Sequence, residues 1–475
     1  YYIDNRFQAA PHFTAHHLLI FFDIFLGALF LCVIAGIPMI MNAIVSIDGI
    51  HNSIIAQLAG VSKETVAAYG DYLAYLTEAG SDAVSAMSGI SSIAFSGSSL
   101  LIVIGVALET IREIEAHLTM LEEAKKRDHN KLGRELEIFT TVDYIGQGLP
   151  IMLPKGTKIL QTLQRWVEDT EEAWGWERTK TPLMAKSDLY KISGHWDHYK
   201  DGMFVLGDEE VDKEVFALRP MTCPFQYQAY LNKARSYRDL PLRYNETSTL
   251  FRNEASGEMH GLIRVRQFTI SEGHLMCAPE QLEQEFRSCL ELAIYMLKTL
   301  GLYEDASYRF SQWDPENRAK YIGTEEQWDE AQSTMKKILD NLELPYEIGV
   351  GEAAFYGPKL DIQIKNVWGK EDTLITIQID QLLAEKFGME YVDSDGVKKN
   401  PYIIHRTSIG CYERTLAYLI EKYAGAFPTW LAPTQVSVMP VNSEFQGDYG
   451  KEVTELLQAE GLRVELDDRN EKLGY

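Results

Sequence analysis

Two long stretches near the start of the chain carry no charge, residues 24–47 and 83–108. Each exceeds the roughly 20 apolar residues that cross a bilayer as a helix. The first (IFLGALFLCVIAGIPMIMNAIVSI) predicts a transmembrane helix. The second opens with Ser and Gly and is strongly apolar only from about residue 93, which predicts a tilted or half-buried one. Arg6 and Arg112 lie outside the pair, and the connection 48–82 holds five acids and only Lys63. Both ends of such a hairpin fall on the cytoplasmic side. A cleavable signal peptide fits poorly, because no basic segment precedes a short apolar core and a second span follows. The alternative is a buried hairpin in a soluble protein.

After residue 118 the pattern changes. LTMLEEAKKRDHNKLGRELEIF places Leu118, Leu121, Leu132 and Leu136 at near-helical spacing among alternating acids and bases, a helix with a solvated face. Beyond it, short alternating strands, Gly and Pro turns and amphipathic helices over 158–174 and 279–300 follow one another. A Pro-punctuated linker (PTWLAP) then leads to TQVSVMPV, GKEVTELLQAEG and LRVEL, one β-α-β unit opening a further α/β domain. The expectation is an α+β chain behind an all-α hairpin.

Composition narrows the classes. At 475 residues the chain has room for two to four domains. Asp+Glu 69 against Lys+Arg 45 gives a net charge of -24, which argues against coating nucleic acid by bulk charge, so any RNA contact rests on a local basic patch. Five scattered cysteines make no disulfide framework and favour a reducing compartment. The chain begins at Tyr1 without an initiator Met and closes at Tyr475 soon after a strand-like run, so it reads as a fragment at both ends.

The chemistry concentrates in LFRNEASGEMHGLIRVRQFTISEGHLMC, residues 250–277. Arg264, Arg266, Glu272 and His274 share parity and would project from one face of a strand, with Arg252 and Glu254 on the strand before. Such a face suits a polyanion held by bidentate contacts, or else is an exposed ladder of ion pairs. His274 lies three residues before Cys277, Cys223 sits in MTCP, and His405 stands near Cys411, types that suit zinc but serve equally as buried thiols and core histidines. In GCYERTLAYLIEKY, Gly410 turns a strand into a helix and Arg414 falls in its first turn, aimed back at the strand end. No GxxxxGK[ST] loop and no GxGxxG after a strand is present, so ATP would have to be held by arginines.

LFRNE…RVRQF and GCYER resemble motifs 2 and 3 of the class II aminoacyl-tRNA synthetases. With KISGHWDHYKDGMF, RPMTCPFQYQAY, KARSYRDLPLRY, GEAAFYGPKLD, TIQID, IIHRTSIGCYER and FPTWLAPTQV, residues 119–475 are similar to the threonyl-tRNA synthetase family. The resemblance implies an antiparallel catalytic domain flanked by helices over 119–430 and a truncated anticodon-binding domain over 431–475. It implies ATP-dependent activation of threonine and its transfer to tRNA(Thr) by a cytoplasmic homodimer.

By the same resemblance Cys223, His274 and His405 ligate one Zn²⁺ per subunit. Threonine binds that metal through its amine and hydroxyl, which valine cannot do. Arg252 holds the α-phosphate and Arg414 the γ-phosphate of ATP-Mg²⁺, with Glu254 near the adenine and Arg264 close by. Glu272, Tyr356, Lys359 and Gln378 line the substrate pocket, Gln378 serving the nucleotide as well. His195 assists proton transfer from the terminal ribose, or simply packs beside Trp196.

The chain departs from the family where MNCPGH reads MTCPFQ and Asp-Asp-Ala before the zinc histidine reads Ser271, Glu272, Gly273. The amino-terminal editing and ubiquitin-like domains are replaced. There, GSSLLIVIGVALETIREIEAHLTM and GALFLCVIAGIPMI resemble the last two transmembrane helices of the SecY protein-translocation channel, over about residues 5–118. EAHLTM fits both families, so the expectation is a chimera joined near residue 118. The alternatives are a genuinely membrane-tethered ligase and a metal-binding paralogue without ligase activity.

Overall fold

The computed structural model describes residues 97–469. The chain divides into two compact units, Tyr1–Leu118 and Thr119–Tyr475. Helix α1 is Gly97–Arg127, and its uncharged part ends at Leu108. No helix among the described residues is long and apolar enough to cross a membrane. Of the span expected over 83–108, only residues 97–108 are described, as the start of α1, and residues 83–96 lie outside the described residues. The span expected over 24–47, and with it most of the SecY-like hairpin, lies outside the described residues.

The single helix expected across 118–139 is two. Asp128 stops α1 and caps α2 (His129–Glu135), its carboxylate accepting the N–H groups of Asn130 and Lys131. Nor is the face wholly solvated. His129 is buried, accepts the Leu262 N–H at Nε2 (3.3 Å) and donates from Nδ1 to Glu421 (2.6 Å).

Helix α3 (Pro154–Ala173) begins with Pro at its first position and buries Ile159, Leu163 and Val167, one residue per turn. Its next position in that stripe is Glu171, fully buried. After β1 (Glu177–Arg178) and α4 (Cys223–Leu231) come the long strands β2 (Leu242–Phe251) and β3 (Gln267–Cys277), then α5 (Leu282–Leu300). The sheet is completed by β4 (Ala306–Gln312), β5 (Glu347–Val350), β6 (Lys359–Lys365), β7 (Glu371–Asp380) and β8 (Tyr402–Cys411), and α6 (Tyr412–Tyr423) follows directly. The strand order is β5-β4-β6-β7-β8-β3-β2-β1. All pairings are antiparallel except those of the edge strands β5 and β1.

Helices α3, α5 and α6 share one core with the sheet. Alternation on β7 shows how: Ile375, Ile377 and Ile379 are fully buried in that core, whereas Thr376 and Gln378 point to the other face and line a cavity. The chain continues through β9 (Val436–Val438), α7 (Ser443–Ala459) and β10 (Val464–Leu466), with β9 and β10 parallel, the β-α-β unit expected from the sequence.

Candidate active site

Register builds the centre of the site. His274 pairs with His405 across β3 and β8, His405 with Gln378 across β8 and β7, and Gln378 with Lys359 across β7 and β6. Directly paired residues project to the same face, so four strands present Lys359, Gln378, His405 and His274 as one row. Cys223, first residue of α4, is brought to the end of that row. The Cys223, His274 and His405 ligand atoms all lie within 4.8 Å of one another, and all three residues are buried. Cys277 and Cys411, the other cysteines near these histidines in sequence, belong to separate apolar clusters.

The trio is placed where it could hold a metal ion, with Cys223 also packed in an apolar cluster. His274 Nδ1 lies 2.5 Å from Gln226 Oε1, while its Nε2 is a buried atom with no hydrogen-bond partner. Such orphans are rare unless something absent satisfies them. Burial, with His405 and Arg406 adding to it, holds His274 well below the usual imidazole range, so it is a neutral donor. Burial pushes the Cys223 thiol well up, with Glu272 and Asp380 adding. Only a cation would make a thiolate at this position. One sulfur and two imidazole donors suit a borderline-soft divalent ion with an open fourth position.

The row opens into a cavity of about 440 Å³. Glu272, Tyr356, Lys359, Gln378 and His405 line one part of it, and Arg252, Glu254, Arg264 and Arg414 another. Glu272 links the cysteine-bearing segment to β3: one carboxylate oxygen accepts the Thr222 N–H (3.1 Å) and the other lies 3.8 Å from His274 Nε2. Lys359 is paired with Asp361 (2.6 Å), and the Gln378 amide donates to the Gly357 carbonyl (3.0 Å).

The arginines differ from the expected pattern. β2 ends at Phe251 and β3 begins at Gln267, so Arg252, Glu254, Arg264 and Arg266 stand in the intervening loop and not on the strands. Gly261, at φ 49, turns this loop, and His260 bridges back to Arg264, which ends the alternation. Arg252 stacks on Phe268 (5.2 Å) and donates to the Pro220 carbonyl. Arg264 pairs with Glu254 (2.8 Å) and Glu258 (3.1 Å). Arg266 is spent on the Glu254 carbonyl. Gly410, at φ 74, lies so close to the Leu374 carbonyl that a Cβ would collide with it. It delivers β8 into α6 and puts Arg414 in the first turn, donating to the Ile263 and Thr373 carbonyls.

His195 does not line this cavity. It is buried, accepts or donates at 2.8 Å with the Ser193 hydroxyl, and packs edge-on against Phe355 and beside Tyr356.

Comparison with known proteins agrees with this geometry. Residues 204–423 match the tRNA synthetase class II core domain (G, H, P, S and T), and residues 435–475 match an anticodon binding domain. A threonine–tRNA ligase of Clostridium botulinum (strain Alaska E43 / Type E3) is 66% identical over 371 residues, 78% of this chain and 58% of that protein. One from Clostridium perfringens (strain SM101 / Type A) is 65% identical over 373 residues, with the same coverage. The crystal structure of the RNA binding domain of threonyl-tRNA synthetase from Cryptosporidium parvum Iowa II superposes with a TM-score of 0.68 at 32% identity, covering 73% of this chain and 84% of that one. The chain belongs to the threonyl-tRNA synthetase family. It spans 58% of the length of the curated relatives named here.

Within this family member, sequence reasoning overlooked the groups that hold the others in place. Asp380 was visible two residues after Gln378, hence on the same face of β7, and Gln226 one turn after Cys223 on α4. Glu171 was visible as the acid that closes the stripe Ile159, Leu163, Val167.

Proposed function

We propose that this chain is a threonine-tRNA ligase, activating threonine with ATP and transferring it to tRNA(Thr). The observation that carries the reading is the meeting of Cys223, His274 and His405, the last of which lines the arginine-bearing cavity. Zn²⁺ would be held by these three. When bound, it supplies an open coordination position that an amine and a neighbouring hydroxyl fill and a methyl group does not.

The chain's own residues do the rest. Glu272 offers a carboxylate that accepts from the threonine amine, with Tyr356, Lys359 and Gln378 shaping the same pocket. Arg252 and Arg414 bind the α- and γ-phosphates of ATP-Mg²⁺, Glu254 faces the adenine, and Arg264 adds positive charge beside them. The threonine carboxylate then attacks the α-phosphorus and pyrophosphate leaves as the bond to the β-phosphate breaks, while the guanidiniums neutralise charge where it builds. Arginines already tied to main-chain carbonyls need little reorganisation to do so. His195, neutral and beside Tyr356, takes the proton of the terminal ribose hydroxyl in the transfer step. The enzyme works as a cytoplasmic homodimer, and the apolar stretches before residue 119 take no part in the reaction.

ATP–pyrophosphate exchange on the metal-loaded chain tests this. Exchange stimulated by threonine and not by valine supports it. No threonine-dependent exchange overturns it in favour of a metal-binding paralogue without ligase activity.

A further inference from the structure

The two histidines of the metal trio are held by unlike partners. His405 Nε2 lies 3.0 Å from Asp380 Oδ2, and Asp380 is fully buried. The other oxygen of Asp380 accepts the main-chain N–H groups of Leu382 (2.8 Å) and Leu383 (2.9 Å), where the chain leaves β7. The carboxylate is therefore fixed in place and acts only as an acceptor, so His405 Nε2 carries a hydrogen and Nδ1 keeps the free lone pair. The Tyr227 hydroxyl, 3.2 Å from the same Nε2, is a second neighbour of that proton.

His274 is held the other way round. Gln226 is fully buried, and its amide nitrogen donates to the Thr179 hydroxyl (2.7 Å), which turns its oxygen toward His274 Nδ1 (2.5 Å). Nδ1 carries the hydrogen there, and Nε2, the orphaned atom, keeps the lone pair.

We propose that Asp380 and Gln226 are positioning residues that lock the metal-binding histidines in opposite tautomers, His405 ligating through Nδ1 and His274 through Nε2, with Asp380 supplying the charge that tightens the site. This rests on the metal reading above and adds the groups that set its affinity. A carboxylate behind an imidazole makes it a stronger donor, whereas a neutral amide only orients it. With the Cys223 thiolate, Asp380 also offsets the charge of a divalent ion in a buried place, where an uncompensated charge is costly. The two supports are therefore unequal, although both rings are equally well aimed.

Co²⁺ serves as the spectroscopic probe, bound to the full chain and titrated against a chromogenic chelator. Asp380→Asn is expected to bind Co²⁺ about 10–100-fold more weakly than wild type, with altered ligand-field bands and unchanged near-UV circular dichroism. Gln226→Met is expected to weaken binding less. If wild type binds Co²⁺ and Asp380→Asn matches it in affinity and spectrum, this inference is wrong and the metal reading stands. If wild type binds no Co²⁺, the metal reading falls and takes this inference with it. Should Asp380→Asn fail to fold, ¹⁵N-histidine spectra of the metal-free wild type decide. Protonation of His405 at Nε2 and His274 at Nδ1 supports the proposal, and the same tautomer at both overturns it.

Discussion

The two faces of strands β2, β3 and β8 make opposite use of polar residues. On the cavity face stand Glu272, His274 and His405, with a nitrogen left bare. On the other face, one residue away at each step, stand Asn245, Ser271, Arg406 and Ser408, all converging on the fully buried Glu171 of α3. Arg406 (2.7 Å), Ser408 (2.6 Å) and Ser271 donate to one oxygen of Glu171, and Asn245 (2.5 Å) to the other. The Arg406 guanidinium also lies 3.7 Å over the Trp176 ring and crosses Gly273, where a Cβ would come within 2.8 Å of it. The back is tied to one carboxylate, with Asn245 Oδ1 and Arg406 Nε and Nη2 left without partners at its edges, whereas the front row converges on no such centre. The same strands thus carry a polar knot that fixes their spacing and a polar row whose open valences are kept for ligands.

Substitutions should separate the two faces. The largest effect is expected at the front: His274→Ala or Cys223→Ser should abolish stoichiometric metal binding and lower threonine-dependent pyrophosphate exchange at least about 10³-fold. The thermal midpoint of the metal-free chain should change little. A retained metal content in either variant would remove the front face's claim to be a ligand site.

Glu171→Gln should do the reverse. It leaves the Arg406 charge buried without a counter-ion and should cost about 3–5 kcal/mol in urea unfolding, while the molecules that remain folded keep their metal. Adding Arg406→Met should recover much of the loss, because no charge is then stranded. A Glu171→Gln protein as stable as wild type would show that the knot is not what spaces the strands.

These faces also explain what could be read in advance. Alternation in TIQID and the Gly410 turn before Arg414 are local, so the strand, the turn and the helix were visible from the chain itself. Motif spelling carried the site residues as far as their identities. That His274 and His405 would be directly paired is a matter of register between distant strands, which no local pattern encodes. The arginines were misplaced onto strands because period two was carried past both strand ends, forward to Glu254 and back to Arg264, where the chain in fact folds back as a loop. Most of the expected second span lies outside the described residues, and α1 carries Glu and Arg only from residue 109 onward, beyond the end of that span.

The nucleotide end extends the comparison, since its arginines differ in how they are anchored. Arg414 is anchored by two main-chain carbonyls, whereas Arg264 is 45% exposed and shared between Glu254 and Glu258. A lysine cannot reproduce the fork that Arg414 uses, so Arg414→Lys should lower kcat/KM for ATP about 10²-fold. Arg264→Lys should cost less than about 10-fold, as exposed pairs contribute little. Equal effects in steady-state exchange kinetics would mean that anchoring is irrelevant to phosphate binding.

His195 tests the comparison most finely, because it is buried like a residue of the back yet sits beside the front. Burial, followed by the charges of His405, Arg252, His198 and Lys386, pushes it down to about 3. The native protein therefore keeps it neutral while the unfolded chain takes up a proton below about pH 6.5. Unfolding binds a proton in the window between those two values, so this group makes stability fall as pH falls through it. Between pH 7 and pH 6 the loss from His195 alone is about 0.7 kcal/mol. His195→Gln should remove that increment, seen as a smaller drop in urea midpoint between the two pH values than in wild type. An identical drop in both proteins would mean that His195 titrates in the native protein as it does in the unfolded chain, so that burial does not hold it neutral.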